Sequence, residues 1–178
     1  QIKEVALIHF AENGYEGTSM AQIAEDVGIK KQSIYTHFKG KDELFLQVCR
    51  EVFSNELKMV EHYIDRHHLQ KIDQFLLNFL MQYTDRYEKN DTTKFWLRTS
   101  FFPPVHLYDQ VMKYVYEYLD NVEEMLVPLL DKAAKEGEIS SSVSANTATA
   151  AFLGVLDGIF VEMLYGGYER LKKRLDAS

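Results

Sequence analysis

The chain has 178 residues, 46% of them hydrophobic, with only three prolines and nine glycines, enough to bury a core as one or two compact units and too ordered in composition for a low-complexity chain. Its one cysteine, Cys49, excludes an intrachain disulfide and fits a reducing compartment. A formal net charge of −7 confines any nucleic-acid binding to a local basic patch, the acidic remainder repelling DNA elsewhere.

Apolar residues recur at helical spacing almost throughout, which predicts an all-α protein. No apolar run is read as approaching the ~18 residues of a membrane span, and no signal peptide is visible. The expectation is a cytoplasmic protein without a membrane partner. The chain opens on Gln1 and stops at Ser178 inside a helical pattern, so both ends are read as trimmed or disordered and a basic N-terminal arm as outside view.

Ile2, Val5, Ala6 and Phe10 form one apolar stripe that Gly14 ends, as a C-terminal cap does. Thr18 or Ser19 then caps a short helix that turns Ile23, Ala24 and Val27 inward. After Gly28 and Ile29 a third short helix is predicted over 31–38, with Ile34 and Phe38 inward. A long helix starts near Lys41 and runs to the His67-His68 region, and the boundary between two units is expected within it. Helices are expected over 69–88 and 94–100, the second cut off by Pro103-Pro104. Leu107, Val111, Val115, Leu119, Val122 and Leu126 predict a long helix kinked at Pro128 and ended by Gly137. A serine-rich loop, an apolar helix over Ala145–Tyr165 and an amphipathic stub after Gly166-Gly167 complete the chain.

From Gly28 to Lys41 stand four lysines and no acidic residue. A charge run is often only a solvated face, but here its context is a tight helical hairpin. Ala24 lets two helices approach and Gly28 can take the positive φ of the turn. With Ile34 and Phe38 inward, Lys31, Gln32, Ser33, Tyr35 and Thr36 face outward, donors and acceptors suited to base edges and phosphates.

Phe10, Gly14, Tyr15, Thr18, Ile23, Ala24, Gly28, Ile29, Tyr35, His37, Phe38, Lys41 and Leu44 together make a pattern that resembles the N-terminal domain of the tetracycline-repressor (TetR/AcrR) family of bacterial transcription regulators. The match covers roughly a quarter of the chain. The resemblance implies a helix-turn-helix DNA-binding domain over 1–46, its motif at about 19–38, and a helical effector-binding and dimerisation domain over 47–178. It also implies a recognition helix with Lys31, Gln32, Ser33 and Thr36 towards bases, and Tyr35 and Lys41 at phosphates, with Lys30 beside them in the basic island. Thr18, Ser19 and Met20 match a helix N-terminus, whose backbone N–H groups and dipole attract a phosphate. His37 either packs under the recognition helix or reaches the DNA backbone.

His62, Asp65, His67 and His68 tempt a metal reading, yet zinc usually needs three or four converging ligands and no second cluster is apparent. No metal, cofactor or catalytic residue is expected. Cys49 sits in an apolar stretch and reads as an inert thiol. Paired Glu-x-x-His motifs of a helical-bundle di-metal enzyme do not occur.

From Gln74 onward aromatic residues accumulate beyond what a small core needs, each open between core and ligand pocket. An apolar pocket is expected around Trp96, Phe101, Phe102, Tyr108, Met112 and Tyr116, with Arg98 or His106 as polar anchor. Tyr83, Asp157 and Phe160 are second-tier candidates, for the pocket or for a dimer contact. The helix over Ala145–Tyr165 is apolar all round and must be covered on every side. A partner subunit is expected against Ala151, Phe152, Gly154, Val155, Gly158, Ile159 and Met163. The sequence thus reads as a dimeric repressor released from operator DNA by a small apolar or aromatic effector. The alternatives are a DNA-binding dimer without such an effector and, more remotely, a helical-bundle enzyme.

Overall fold

The computed structural model describes residues 1–177, and Ser178 lies outside the described residues. Every regular element among them is helical. Two compact units form, Gln1–Glu56 with Lys89–Glu117, and Leu57–Glu88 with Tyr118–Ser178. Compactness therefore places the segment after Lys89 with the N-terminal helices, whereas the expected division by role falls at 46/47.

In the first unit α1 (Ile2–Asn13) ends at Gly14, whose φ of 72° is open to glycine at little cost. The N-cap of α2 (Met20–Val27) is Ser19, through a reciprocal box. The Gln22 N–H donates to Ser19 Oγ at 3.2 Å and the Ser19 N–H to Gln22 Oε1 at 2.9 Å. Gly28 closes α2 in the left-handed region (φ 78°, ψ 30°), and the Ile29 N–H returns to the Ala24 carbonyl at 2.9 Å.

The third helix is shorter than expected: α3 spans Lys31–Ile34. The chain then tightens, with the Thr36 and His37 N–H groups bonding the carbonyls of Ser33 and Ile34 three residues back at 3.3 and 2.9 Å. The Thr36 hydroxyl also donates to the Ser33 carbonyl, at 2.7 Å, competing with a continued helix. Ile34 and Phe38 are nonetheless buried.

Leu44, Phe45 and Val48 of α4 (Lys41–His67) enter the core of the same unit, as do Phe95, Trp96 and Leu97 of α6 (Asp91–Phe101). The Asn90 side chain caps α6 from the Thr92 N–H at 2.8 Å, so that helix starts earlier than expected. Phe45 is the hub: its ring centroid lies 5.0 Å from Phe10, 5.2 Å from Tyr15 and 5.5 Å from Phe95, all edge-on. Edge-to-face packing of this kind adds to area burial and ties α1, α4 and α6 together.

In the second unit α5 (Ile72–Lys89) begins where the Glu138 carboxylate accepts the Ile72 N–H at 2.7 Å. Phe75, Phe79 and Tyr83 descend its inner face at helical spacing. Tyr63 packs on Phe75, Phe152 on Phe79 and Phe160 on Tyr83, at 5.2, 5.9 and 5.1 Å. The Tyr83 and Tyr118 hydroxyls meet at 2.7 Å inside this core. A 3₁₀ turn (Val105–Leu107) leads into α7 (Tyr108–Lys135), which continues through an exposed Pro128.

Ser144 caps α8 (Ala145–Tyr165), Gly166 ends it in the left-handed region, and α9 (Tyr168–Asp176) follows. Arg170 and Arg174 of α9 converge on the Glu162 carboxylate of α8, at 2.9 and 3.5 Å. One sequence expectation fails here. α8 is 21 residues long with a mean hydropathy of 1.6 over its apolar window, long and apolar enough by length and composition to cross a membrane. Asp157 and Glu162 are its only charges, and Ala, Gly and Thr dilute the apolar run enough to hide its length.

Candidate nucleic-acid interface and effector concavity

The turn at Gly28, with Ile34 and Phe38 buried, leaves Lys30, Lys31, Gln32, Tyr35, Thr36 and His37 exposed on one short segment, with Ser33 half-buried. His37 is thus on the outside of the segment, its ring centroid 6.5 Å from that of Phe38. Nothing acidic interrupts the row.

Three of the expected DNA contacts are placed differently. Thr18 is 2% and Met20 6% exposed, so their side chains are part of the core. The Thr18 hydroxyl lies 2.8 Å from the Gly14 carbonyl and 3.0 Å from that of His9, bracing α1 rather than reaching outward. Only backbone and the Ser19 side chain remain at the α2 N-terminus. Lys41 also turns inward. Its Nζ donates to the carbonyls of Tyr15 at 2.8 Å and Thr18 at 3.0 Å, and sits 4.0 Å above the Tyr15 ring. A lysine three residues past a buried anchor reads as a phosphate contact in sequence; the open carbonyls of the α1–α2 turn capture it first.

Of the eight residues expected at a pocket, Phe101, Phe102, His106 and Tyr108 line one surface concavity of about 640 Å³, with Val105 92% exposed on its rim. It is an open surface, not an enclosed pocket. Trp96 is in the core, and Met112 and Tyr116 lie further along α7 outside the concavity. Arg98 is engaged elsewhere: its guanidinium donates to the Glu12 carbonyl at 3.1 Å and reaches that of Ala11 at 3.4 Å. A cation on the last carbonyls of a helix satisfies both their hydrogen bonding and the helix dipole. Tyr83 and Phe160 are core residues of the second unit, while Asp157 is exposed on α8.

The expected dimer stripe splits in two. Ile159 and Met163 are 1% and 4% exposed within the protomer, so they are core and not interface. Ala151, Gly154 and Val155 are exposed, with Phe152 and Gly158 half-exposed. A Cβ added at Gly154 or Gly158 would meet nothing within 4 Å.

No spacing in the sequence announces the polar cluster around Asp42. The Tyr15 hydroxyl donates to Asp42 Oδ1, and the same oxygen lies 3.1 Å from His106 Nε2. The His106 ring stands edge-on to Tyr15 at 5.1 Å. Hydrogen bonds from Tyr15 and then His106 hold the Asp42 carboxyl below its ordinary range, while burial and then Asp42 push the Tyr15 phenol up. Between α1 and α2, His9 Nε2 is 2.6 Å from Asp26 Oδ2. His68 Nδ1 lies 2.9 Å from the Asp65 carbonyl at the end of α4, and no group of three or more His, Cys, Asp or Glu among the described residues is arranged to hold a metal ion.

Residues 2–48 match the model of the bacterial regulatory proteins, tetR family. The chain is 30% identical over 90 residues to the biofilm operon icaADBC HTH-type negative transcriptional regulator IcaR of Staphylococcus epidermidis, covering 50% of this chain and 49% of that protein. The match thus spans about half the length of the curated relatives. Solved structures share the fold across nearly the whole chain. The transcriptional regulator FadR from Bacillus subtilis, in complex with stearoyl-CoA, superposes with a TM-score of 0.69 at 17% identity, over 98% of this chain and 94% of that one. The TetR-family transcriptional regulator PfmR from Thermus thermophilus does so with a TM-score of 0.66 at 22% identity, over 90% and 84%. The N-terminal quarter of the chain, residues 2–48, is thus a tetR-family domain of bacterial regulatory proteins, carried on an all-helical fold.

Proposed function

We propose that the chain is a cytoplasmic, homodimeric transcription repressor that binds operator DNA and is released from it by a small apolar or aromatic effector. The observation that carries the DNA-binding half is the exposed, acid-free row Lys30, Lys31, Gln32, Tyr35, Thr36, His37, held rigidly by Gly28 and by the buried Ile34 and Phe38. Lys30, Lys31 and Tyr35 take phosphates, and Gln32, Ser33 and Thr36 read bases. The backbone and hydroxyl of Ser19 meet a phosphate at the α2 N-terminus. Residues 1–46 are the DNA-binding part and 47–178 the effector and dimerisation part. The partner subunit covers Ala151, Gly154, Val155 and Gly158 of α8, bringing two recognition segments about one DNA turn, ~34–36 Å, apart.

The effector half rests on the concavity of Phe101, Phe102, His106 and Tyr108, and on likeness to a regulator solved with a long-chain acyl thioester. Exposed aromatic side chains offer such a molecule large contact area at low entropy cost. One observation favours a second function, a DNA-binding dimer with no small effector: the concavity is open to solvent, where a bound apolar molecule stays half wet.

The test is binding of the full chain to a duplex selected from a randomised library, against the variant with Lys30, Lys31 and Lys39 replaced by Ala. Affinity and its salt dependence should both fall, and an unchanged pair of values would end the proposal. For the effector, Trp96 emission is followed during titration with stearoyl-CoA and with short aromatic acids. A compound that releases DNA from Phe102→Ala as well as from wild type would place the effector elsewhere.

A further inference from the structure

His106 joins three observations that the DNA-binding function leaves unused. Its Nε2 lies 3.1 Å from Asp42 Oδ1 in the first turn of α4. That oxygen also accepts the Tyr15 hydroxyl. Tyr15 in turn offers its carbonyl and its ring to Lys41, whose Nζ reaches on to the Thr18 carbonyl. One chain of polar contacts therefore leads from the turn before α7 to the residue that precedes the Ser19 cap. Arg98, a few residues before His106, makes a second hold on the same segment through Ala11 and Glu12.

We propose that His106 and Arg98 are positioning residues that latch residues 98–106 onto the α1–α2 turn, and that the His106 half of the latch is operated by a proton. Histidine is the side chain whose charge ordinarily changes between pH 5 and 8. With the proton, the imidazolium and the Asp42 carboxylate form an ion pair; without it, one neutral contact remains. The arginine hold carries its charge throughout.

The groups facing His106 set the sign. From α4 comes Asp42, with Lys41 adding its charge beside that carboxylate, from the α1–α2 turn the Tyr15 ring, with Glu16 adding its charge there, and in the same concavity stand its chain neighbours Tyr108 and Asp109. Asp42 is the one that touches the ring nitrogen, and it stays ionised in mild acid because its carboxyl is held below the ordinary range. The latch is therefore firmer with the imidazolium than with the neutral ring. Both side chains are about half exposed, 48% and 54%, so water screens the pair and the effect is modest.

The latch deepens the DNA-binding proposal by naming what steadies the α2 N-terminus, but its test involves no DNA, so the two fail separately. Amide hydrogen exchange of Thr18, Ser19 and Gln22 is measured by NMR on the full chain at pH 5.5 and 8. Rates are divided by those of His106→Gln at the same pH, which cancels the intrinsic pH dependence of exchange. The variant should exchange roughly 1.5- to 5-fold faster at pH 5.5 and nearly equally at pH 8. Asp42→Asn, also at an exposed site, should reproduce this. Arg98→Lys should speed exchange at Gly14 and Tyr15 alike at both pH values. A ratio that is the same at both pH values for His106→Gln overturns the latch. So does a pH dependence that survives in His106→Gln and disappears in His9→Gln, since His9 with Asp26 is a second histidine–carboxylate contact and joins α1 to α2.

Discussion

Lys41 and Tyr15 hold each other twice: the ammonium donates to the Tyr15 carbonyl at 2.8 Å and rests 4.0 Å above its ring. Because the same ammonium also takes the Thr18 carbonyl, it satisfies backbone acceptors that the turn between α1 and α2 would otherwise leave to water. Lys41→Ala should lower the stability of the fold by roughly 1–2 kcal/mol, since hydrogen bonds to charged groups are the stronger kind. Urea unfolding followed by circular dichroism checks this. A variant as stable as wild type, with a salt slope of DNA binding reduced by about 0.9, would mean that the ammonium swings out to a phosphate.

Lys30→Ala and Lys31→Ala, by contrast, should leave unfolding unchanged and each flatten the log–log salt dependence of DNA affinity by roughly 0.9. Gln32→Ala should relax preference at about one base pair of the selected duplex, with a discrimination loss of about 1–3 kcal/mol. Competition among single-base variants of that duplex separates the two behaviours. Equal losses on every variant for Gln32→Ala would make it a backbone contact.

Gly158→Leu isolates association from folding. Apart from its chain neighbours and the adjacent helix backbone, nothing lies within 4 Å of a Cβ built there, so the added side chain has room in a single chain and none where a second chain packs closely. The variant should keep its helical circular dichroism and sediment as a monomer at micromolar concentration, where wild type sediments as a dimer. A variant that remains dimeric moves the interface off this face of α8.

Glu162 gives an acid signature. Hydrogen bonding from Arg170, with Arg174 adding charge, holds its carboxyl below the ordinary glutamate range. A group lowered in the folded state contributes stability above its unfolded pKa, which is lost as pH falls through the folded one. Stability of the α8–α9 pairing should therefore be constant near neutrality and decline in the carboxylate range. Glu162→Gln should be less stable at pH 7 and show less of that decline. Parallel acid-unfolding curves for both proteins would remove Glu162 from the account.

Cys49 is fully buried, and desolvation pushes its thiol up. Ellman's reagent at pH 8 should leave native protein unmodified and react once the chain is unfolded in guanidinium. Prompt reaction with native protein would show that α4 opens around it.

Local chemistry was the legible part. Gly28 announces its left-handed turn, Ile34 and Phe38 their burial, and Ser19 with Gln22 a cap, because each depends on neighbours within four residues. The third helix was overread because apolar spacing continues to Phe38 while the Thr36 hydroxyl ends the regular turns. α8 was misread in part for another reason: on a helix apolar all round, period alone does not say which side faces inward, and Ile159 and Met163 went to the core while Val155 stayed out. The partners that draw Arg98 and Lys41 inward are not legible in the sequence because they stand far away in it. An arginine among aromatics looks like a ligand anchor until the open end of α1 is placed beside it.

Gly14 and Arg98 have a consequence for how such a sequence can change. A Cβ at Gly14 would sit 3.0 Å from one guanidinium nitrogen and 3.3 Å from the guanidinium carbon, so the missing side chain is the socket into which the arginine fits. Glycine there answers two demands at once, the positive φ and the vacancy. A mutational path away from this arrangement has a favoured order: Arg98 shortens first, after which position 14 is constrained by backbone conformation alone. Taken in the other order, the first step makes the guanidinium give by a few tenths of an ångström while the new side chain also bears the positive φ. In a laboratory evolution experiment, substitutions at position 14 should therefore accumulate more readily in lineages that have already lost the arginine.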